Sequence, residues 1–243
     1  MKKNALILFV FVVYLTAVYA ISNVSNKEYD PITFIPPKGA FETPAGPPET
    51  TITSNSLLIK DGLLILEGNV KARQTDRELT CGKAFLRDKP KRLLASITPR
   101  IYYKERVIER KVIQELNLEA KNIAANEGTG RMTASPSVHL RVEERSWNMA
   151  SFTWCVITSE SMLAIKDSER IIFTGRVNLI DGDGNKGHGN RLDYARKLGV
   201  AVLSGDAEME YLELNKDTNQ KEKRTLRGNV ITYNLETREA ISE

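Results

Sequence analysis

The acidic segment Asp181-Gly182-Asp183-Gly184-Asn185 is the part of this sequence that most resembles a metal-binding loop. Oxygen ligands at alternate positions suit calcium, but an EF-hand loop also needs glycine at its sixth position and glutamate at its twelfth. Those positions hold Lys186 and Leu192. The segment is therefore predicted to be a hairpin turn, in which the glycines let the backbone reverse. We expect no metal and no other cofactor.

Side chains that could perform catalysis are scattered along the chain. His139 and His188 are far from any cysteine or carboxylate cluster at metal-ligand spacing. Both fall on the polar phase of alternating segments, so we expect them at the surface. The sequence also lacks the nucleophile-elbow, zinc-protease, Walker and dinucleotide-binding glycine patterns. The protein is therefore not expected to be an enzyme.

Cys81 and Cys155 are the only cysteines, and each falls in a predicted strand. A disulfide between them requires an oxidising compartment and Cα atoms within about 7 Å of each other. Without that proximity they would be two buried thiols. The sequence leaves the possible disulfide between Cys81 and Cys155 open.

A five-residue pattern recurs along the chain, consisting of an apolar residue, any residue, glycine, any residue, and valine or alanine. Its four copies span Leu66 to Val70, Phe173 to Val177, Leu203 to Ala207, and Leu226 to Val230. Apolar and polar residues alternate around each copy, which predicts strands with every second residue facing the core. Segments 120–140 and 189–209 align without a gap at alternate positions. One strand-turn-strand unit is therefore repeated.

Period-two alternation continues from Ser54 to the end, interrupted by turns such as Lys60-Asp61-Gly62. This pattern predicts an all-β fold of roughly a dozen to sixteen antiparallel strands, too many for one flat sheet, so they must form two facing sheets. Segment 106–116 fits a helical turn or a strand equally well. Pro99 and Pro136 fall within predicted strands, which should therefore be edges or carry bulges, since proline cannot donate to a ladder.

Three regions are predicted along the chain. Residues 1–20 form a signal peptide, with Lys2 and Lys3 before an apolar stretch that ends in Ala20; an uncleaved membrane anchor over residues 4–21 is the alternative. Residues 21–53 contain six prolines and form an extended tether. Residues 54–243 form the β domain, which would lie outside the cytoplasm in either case.

The net charge argues against binding to nucleic acid. The formal charge of +4 includes both leader lysines, so the remaining chain is nearly balanced and lacks a strong basic field. Residues 87–111 are a local exception, with nine basic and three acidic side chains. They form either a solvated rim or a landing site for phosphates or anionic lipid headgroups.

The repeated glycine strand resembles the OstA-like domain of the LptA-like family of lipopolysaccharide-transport proteins. The likeness also includes Gly189-Asn190-Arg191-Leu192-Asp193-Tyr194 and the turn into Ala201-Val202-Leu203-Ser204-Gly205; it covers residues 54–243 and is strongest from Ser161 onward. It implies a twisted antiparallel β-jellyroll, open at both ends, that binds the acyl chains of lipid A. It further implies a periplasmic protein that carries lipopolysaccharide from the inner to the outer membrane.

The inward residues are mostly small or aliphatic, so the two sheets could enclose either a slot for an alkyl chain or a filled core. On the resemblance, the lipid-binding interior would consist of Leu66, Val70, Phe173, Val177, Leu179, Leu192, Tyr194, Leu203, Ala207 and Met209. Two alternatives to a transport bridge stand beside it. One is an LptC-like component of the same pathway, anchored in the inner membrane, and the other is a structural β-repeat protein without a lipid ligand.

The last repeat stops in mid-unit, at Ser242 and Glu243. The strand over residues 226–233 is therefore expected to expose unpaired backbone groups, and an uncharged edge of this kind pairs readily with another chain. We expect it to join the amino-terminal edge near residues 57–66 of another jellyroll in a transport bridge, or of a second copy. Head-to-tail pairing does not close, so the homo-oligomer would grow with concentration.

Overall fold

The computed structural model describes residues 51–87, 90–215, 220–237 and 239–242. The predicted signal peptide and most of the tether lie outside these ranges. The strands are β1 Thr51–Thr53, β2 Ser56–Lys60, β3 Leu63–Gln74, β4 Arg77–Arg87, β5 Arg92–Ser96, β6 Arg100–Val107, β7 Val112–Glu119, β8 Asn122–Asn126, β9 Arg131–Ser135, β10 Val138–Ser146, β11 Phe152–Ser159, β12 Ser161–Ile165, β13 Arg170–Asp181, β14 Lys186–Ala195, β15 Val200–Asn215, β16 Gln220–Asn234 and β17 Ala240–Ser242.

The all-β prediction is confirmed, because the described chain is an antiparallel sheet of 17 strands with jellyroll-like character. All strands are hydrogen-bonded into one sheet instead of two separate ones. Segment 106–116 is the end of β6, a turn and the start of β7. No helix of the described residues is long and apolar enough to cross a membrane.

Three of the four glycines of the repeated pattern mark sharp corners in the long strands. In β3, β13 and β15, the pairs Gly68-Asn69, Gly175-Arg176 and Gly205-Asp206 all have positive φ angles. The register to the neighbouring strand shifts at each of these pairs. A positive φ is unfavourable for residues with a Cβ atom, so glycine is the natural first residue of the corner. The repeat therefore encodes a bend that lies inside a strand.

Elsewhere in the sheet, the chain does not bend within a strand at the corner. One strand ends there and the next begins. Pro99 lies between β5 and β6, and Pro136 lies between β9 and β10, so both prolines are outside strands and the prediction that placed them within strands is wrong. Backbone hydrogen bonds still connect neighbouring corners. Lys121 N donates to Pro136 O at 3.0 Å, and Gly82 N donates to Ile97 O at 2.9 Å. Proline fits here because its carbonyl accepts while its missing N–H is not required.

The corners divide the sheet into two halves that face each other. Half-sheet I contains β2, β5, β8, β9, β12, β17 and the adjoining parts of the six long strands; half-sheet II contains β1, β6, β7, β10, β11 and the remaining parts of those strands. The long strands are β3, β4, β13, β14, β15 and β16. Inward side chains from both halves form one hydrophobic core.

Cys81 and Cys155 are free thiols inside this core. The structure thus has the two buried thiols and not the disulfide. Cys81 lies opposite Val70, and Cys155 lies opposite Val142. Burial raises the pKa of Cys81 to about 11, although a backbone hydrogen bond from Lys83 lowers it in part.

The free edges differ from the predicted ones in part. At the carboxyl end, β17 covers residues 231–233 of β16, so residues 226–230 are the part of the predicted edge that it leaves uncovered. At the amino end, β3 pairs on both sides, and the edge consists of β1 and β2. Leu57 is in the edge strand, whereas Leu66 is not.

Candidate functional site: an apolar interior and a polar seam

All ten residues predicted to line the interior lie in the core. They come from β3, β13, β14 and β15, and none is more than 2% exposed. Phe173 lies opposite Leu192, which in turn lies opposite Leu203. Met209 lies opposite Gly187 on the other side of the corner, in half-sheet II. The alternating sequence pattern therefore assigned these side chains to the correct face.

The interior is closed around these ten residues. A Cβ atom added to Gly187 would lie 2.6 Å from Leu203 Cδ1 and 2.9 Å from Met209 Sδ. The neighbouring side chains already occupy the space above this glycine. Of the two alternatives for the interior, this part has the filled core, and an alkyl chain could enter only if the side chains moved apart.

The apolar interior reaches both ends of the sheet. At the amino-terminal end, Leu57 is 39% exposed and Ile59 packs against the core from a partly buried position. At the carboxyl-terminal end, Leu226 and Ala240 do the same. Apolar surface thus continues from one edge, through the closed middle, to the other edge.

Opposite the corners, the hairpin ends of the two half-sheets meet along a line of polar contacts, here called the seam. At its centre, Arg110 Nη1 and Nη2 donate to the two carboxylate oxygens of Glu144, each at 2.6 Å. Gln114 Nε2 donates to Glu144 at 2.7 Å and to Tyr194 OH on half-sheet I at 3.3 Å. Glu236 approaches Arg110 from the other half-sheet, at 3.7 Å. The side chains of Arg110 and Glu144 are almost fully buried.

A second part of the seam surrounds Arg196, a buried cation in the turn after β14. Its guanidinium contacts Glu105 on half-sheet II, and Glu169 lies 3.6 Å away. Burial lowers the pKa of Arg196. Lys197 adds contacts of 3.0 Å to Glu169 and 3.6 Å to Glu109 on half-sheet II. These side chains line a cavity of about 890 Å³ at the surface.

The third part of the seam is the predicted hairpin turn between β13 and β14, which the structure contains. Asn185 Nδ2 donates to Asp181 at 2.9 Å and to Tyr233 OH on half-sheet I at 3.0 Å. Tyr233 OH in turn donates to Asp181. The backbone N–H of Leu212 donates to Asn185 Oδ1 at 2.9 Å. The acidic turn thus joins the half-sheets through hydrogen bonds, and no cluster suited to a metal ion occurs among the described residues.

Sequence reasoning missed the seam, although a signal was present. Asp181 continues the inward phase of Val177 and Leu179, and Glu144 continues the inward phase of Val142. A polar residue on the inward phase near a hairpin must find a buried partner. The partners are far away in sequence, so the pattern cannot say which they are.

The basic segment 87–111 is split by the fold. Lys91, Arg100 and Lys104 pair with Glu127, Glu119 and Glu115. Arg110 belongs to the seam. His139 and His188 are exposed, as predicted.

The sequence matches no protein-family model, and no curated protein resembles it significantly. The function must therefore be argued from the residues and their geometry.

Proposed function

We propose that this protein binds the acyl chains of lipopolysaccharide in its apolar interior and carries the lipid through the periplasm, as part of a bridge from the inner to the outer membrane. The observation that carries the proposal is the apolar interior that reaches both ends of the sheet. An interior of this kind receives a chain at one end and delivers it at the other. The residue pattern shared with the OstA-like domain supports the choice of lipid.

Entry of a chain requires the half-sheets to separate. The corners are continuous backbone in the long strands, whereas the polar contacts that cross the seam among the described residues are between side chains. Separation is therefore easiest at the seam. Burial contributes about 0.8 kcal/mol per CH₂ group, so a chain of about twelve carbons gains about 10 kcal/mol against the cost of opening.

The place of the protein in the pathway depends on residues 1–20. A cleaved leader gives a soluble bridge protein, and a retained segment over residues 4–21 gives an LptC-like component held at the inner membrane. Sequencing the amino terminus of protein from its native host distinguishes them, because cleavage leaves Ile21 first.

A structural β-repeat protein without a lipid ligand is the second candidate. The packing over Gly187 favours it, because the described interior is filled by the side chains of the protein itself.

A photocrosslinking amino acid separates the two candidates. Val177 is buried in the interior, whereas its neighbour Arg176 projects outward with an 87% exposed side chain. The lipid-carrier proposal predicts lipopolysaccharide adducts in living cells from position 177 and few from position 176. Absence of adducts at position 177 in a folded protein would refute this proposal and favour the structural candidate.

A further inference from the structure

The outer surface of half-sheet I carries a continuous row of mostly apolar side chains, here called the outer apolar row. Each member lies directly opposite the next on the neighbouring strand, and the order is Leu58, Ile65, Phe85, Leu94, Ala124, Thr133, Leu163, Ile172, Asp193, Val202, Thr232 and Ile241. Eight of the twelve are large apolar residues, and one is charged. Its amino-terminal members Leu58 and Leu94 are 56% and 42% exposed.

The next row toward the hairpin ends is basic and is here called the outer basic row. It consists of Lys60, Leu63, Arg87, Arg92, Asn126, Arg131, Ile165, Arg170, Ala195, Val200 and Asn234. The row contains five cations and no acid. Arg170 bonds to Asp193, but Lys60, Arg87, Arg92 and Arg131 form no ion pair within the described chain.

The two rows meet in a shallow depression of about 460 Å³. Phe85, Leu94 and Ala124 provide its apolar part, and Arg87, Arg92 and Arg131 are the cations along it. The residues belong to β4, β5, β8 and β9, which are adjacent in half-sheet I.

The outer surface of half-sheet II is different. One row across it reads Lys71, Thr80, Arg100, Glu119, His139, Thr158, Asn178, His188, Glu208 and Arg227, without any apolar residue. Its charges are neutralised by neighbours, with Arg100 3.2 Å from Glu119 and Arg227 2.7 Å from Glu208. This row is an ordinary solvated surface, although another row of half-sheet II places Arg106 and Arg145 beside Ile113 and Phe152. Half-sheet I differs in that its apolar row crosses all twelve of its strands and lies beside a row with five cations and no acid.

We propose that the amino-terminal part of the outer surface of half-sheet I docks on an anionic membrane surface. The patch covers β2, β3, β4, β5, β8 and β9, which at about 4.8 Å per strand spacing span roughly 24 Å. Leu58, Phe85 and Leu94 enter the boundary between headgroups and acyl chains, while the arginines reach the phosphates.

Charge selects the membrane as the occupant. A row that contains cations and no acidic residue complements a plane of anionic lipid. A protein partner would instead need a row of acidic residues aligned with these strands. Each lysine or arginine near such a surface strengthens binding by about fivefold at low ionic strength. The inference does not depend on the proposed function, because it concerns the outer surface and not the interior.

Vesicle sedimentation tests the proposal. The full chain is mixed with vesicles of phosphatidylcholine alone or with added phosphatidylglycerol. Replacing two cations, Arg87→Gln with Arg92→Gln, should weaken binding to the anionic vesicles about 25-fold. The matched control removes two cations from half-sheet II, Arg100→Gln with Lys104→Gln, and should change binding far less. An equal loss in both variants, or equal binding to neutral and anionic vesicles, would overturn the proposal.

A site-specific label makes the test independent of the leader. A cysteine introduced as Leu94→Cys carries a fluorophore on half-sheet I, and Ile180→Cys, which is 40% exposed in the native protein, carries it on half-sheet II. Cys81 and Cys155 are buried and should not be labelled in the folded state. Spin-labelled lipid in the anionic vesicles should quench the fluorophore at position 94 much more than the one at position 180. Similar quenching at both positions, or none at position 94, contradicts docking through this surface.

Discussion

Removing the carboxylate of Glu144 should destabilise the fold by about 3 kcal/mol. In Glu144→Ala, the almost fully buried guanidinium of Arg110 loses two hydrogen bonds of 2.6 Å, and the buried amide of Gln114 loses one of 2.7 Å. Breaking a buried ion pair from one side costs about 3–5 kcal/mol. The lower value applies because Glu236 remains 3.7 Å from Arg110. For a chain of this size the melting temperature should fall by about 6–12 °C.

Thermal and urea unfolding, followed by circular dichroism, measure this loss. Glu208→Ala is the matched control, because its partner Arg227 is 76% exposed and such pairs contribute at most about 1 kcal/mol. Replacing both seam partners, Arg110→Met with Glu144→Leu, should restore most of the stability, since no unpaired buried charge remains. If Glu144→Ala costs no more than Glu208→Ala, the Arg110–Glu144 pair is solvated in solution and does not stabilise the fold.

Three further predictions follow from the fold. Gly205→Val should lower the free energy of unfolding by more than about 1 kcal/mol, as measured by urea unfolding. The reason is that the corner has a φ of +72° and the new Cβ would lie 3.0 Å from Asn190 Cβ. An unchanged urea midpoint would mean that the backbone at this corner relaxes to accept the side chain. The free energy of unfolding should fall as pH rises from about 9 to about 11. Burial raises the pKa of Cys81 from 9.0 to about 11, so the unfolded chain releases this proton at a lower pH than the folded protein does. Cys81→Ala should reduce this dependence of stability on pH, and an equal dependence in both proteins would show that Cys81 is not its source. Light scattering should show mass that increases with concentration if the edges β2 and β17 join successive copies, whereas a constant monomer mass would argue against edge pairing.

The sequence predicted the core because strand alternation has a fixed period of two. Phe173, Leu192 and Leu203 needed no tertiary information to be placed inward. The corners were harder to predict, since a glycine pattern gives a local bend but not its alignment with bends in other layers. Pro99 was assigned to a strand for that reason. The pairing of Arg110 with Glu144 and of Gln114 with Tyr194 depends on strand order, which local sequence does not contain.

The outer apolar row could not be predicted from the sequence, for a related reason. Phe85 and Leu94 become neighbours only through strand register, and each one alone is an unremarkable outward residue. Exposed single apolar side chains are common on protein surfaces. Only the assembled sheet shows that eight such residues share one line of twelve positions.

The line of corners also determines how this architecture can change in size. The corners of all strands lie along one line, so an additional hairpin would lengthen both half-sheets along that line without changing the distance between them. At about 4.8 Å per strand, the twelve strands of half-sheet I extend roughly 53 Å, and one duplicated hairpin would add about 10 Å. Length can therefore increase only in discrete steps. Gene duplication of one unit, about 20 to 50 residues long in repeat architectures, would lengthen such a protein by one of these steps.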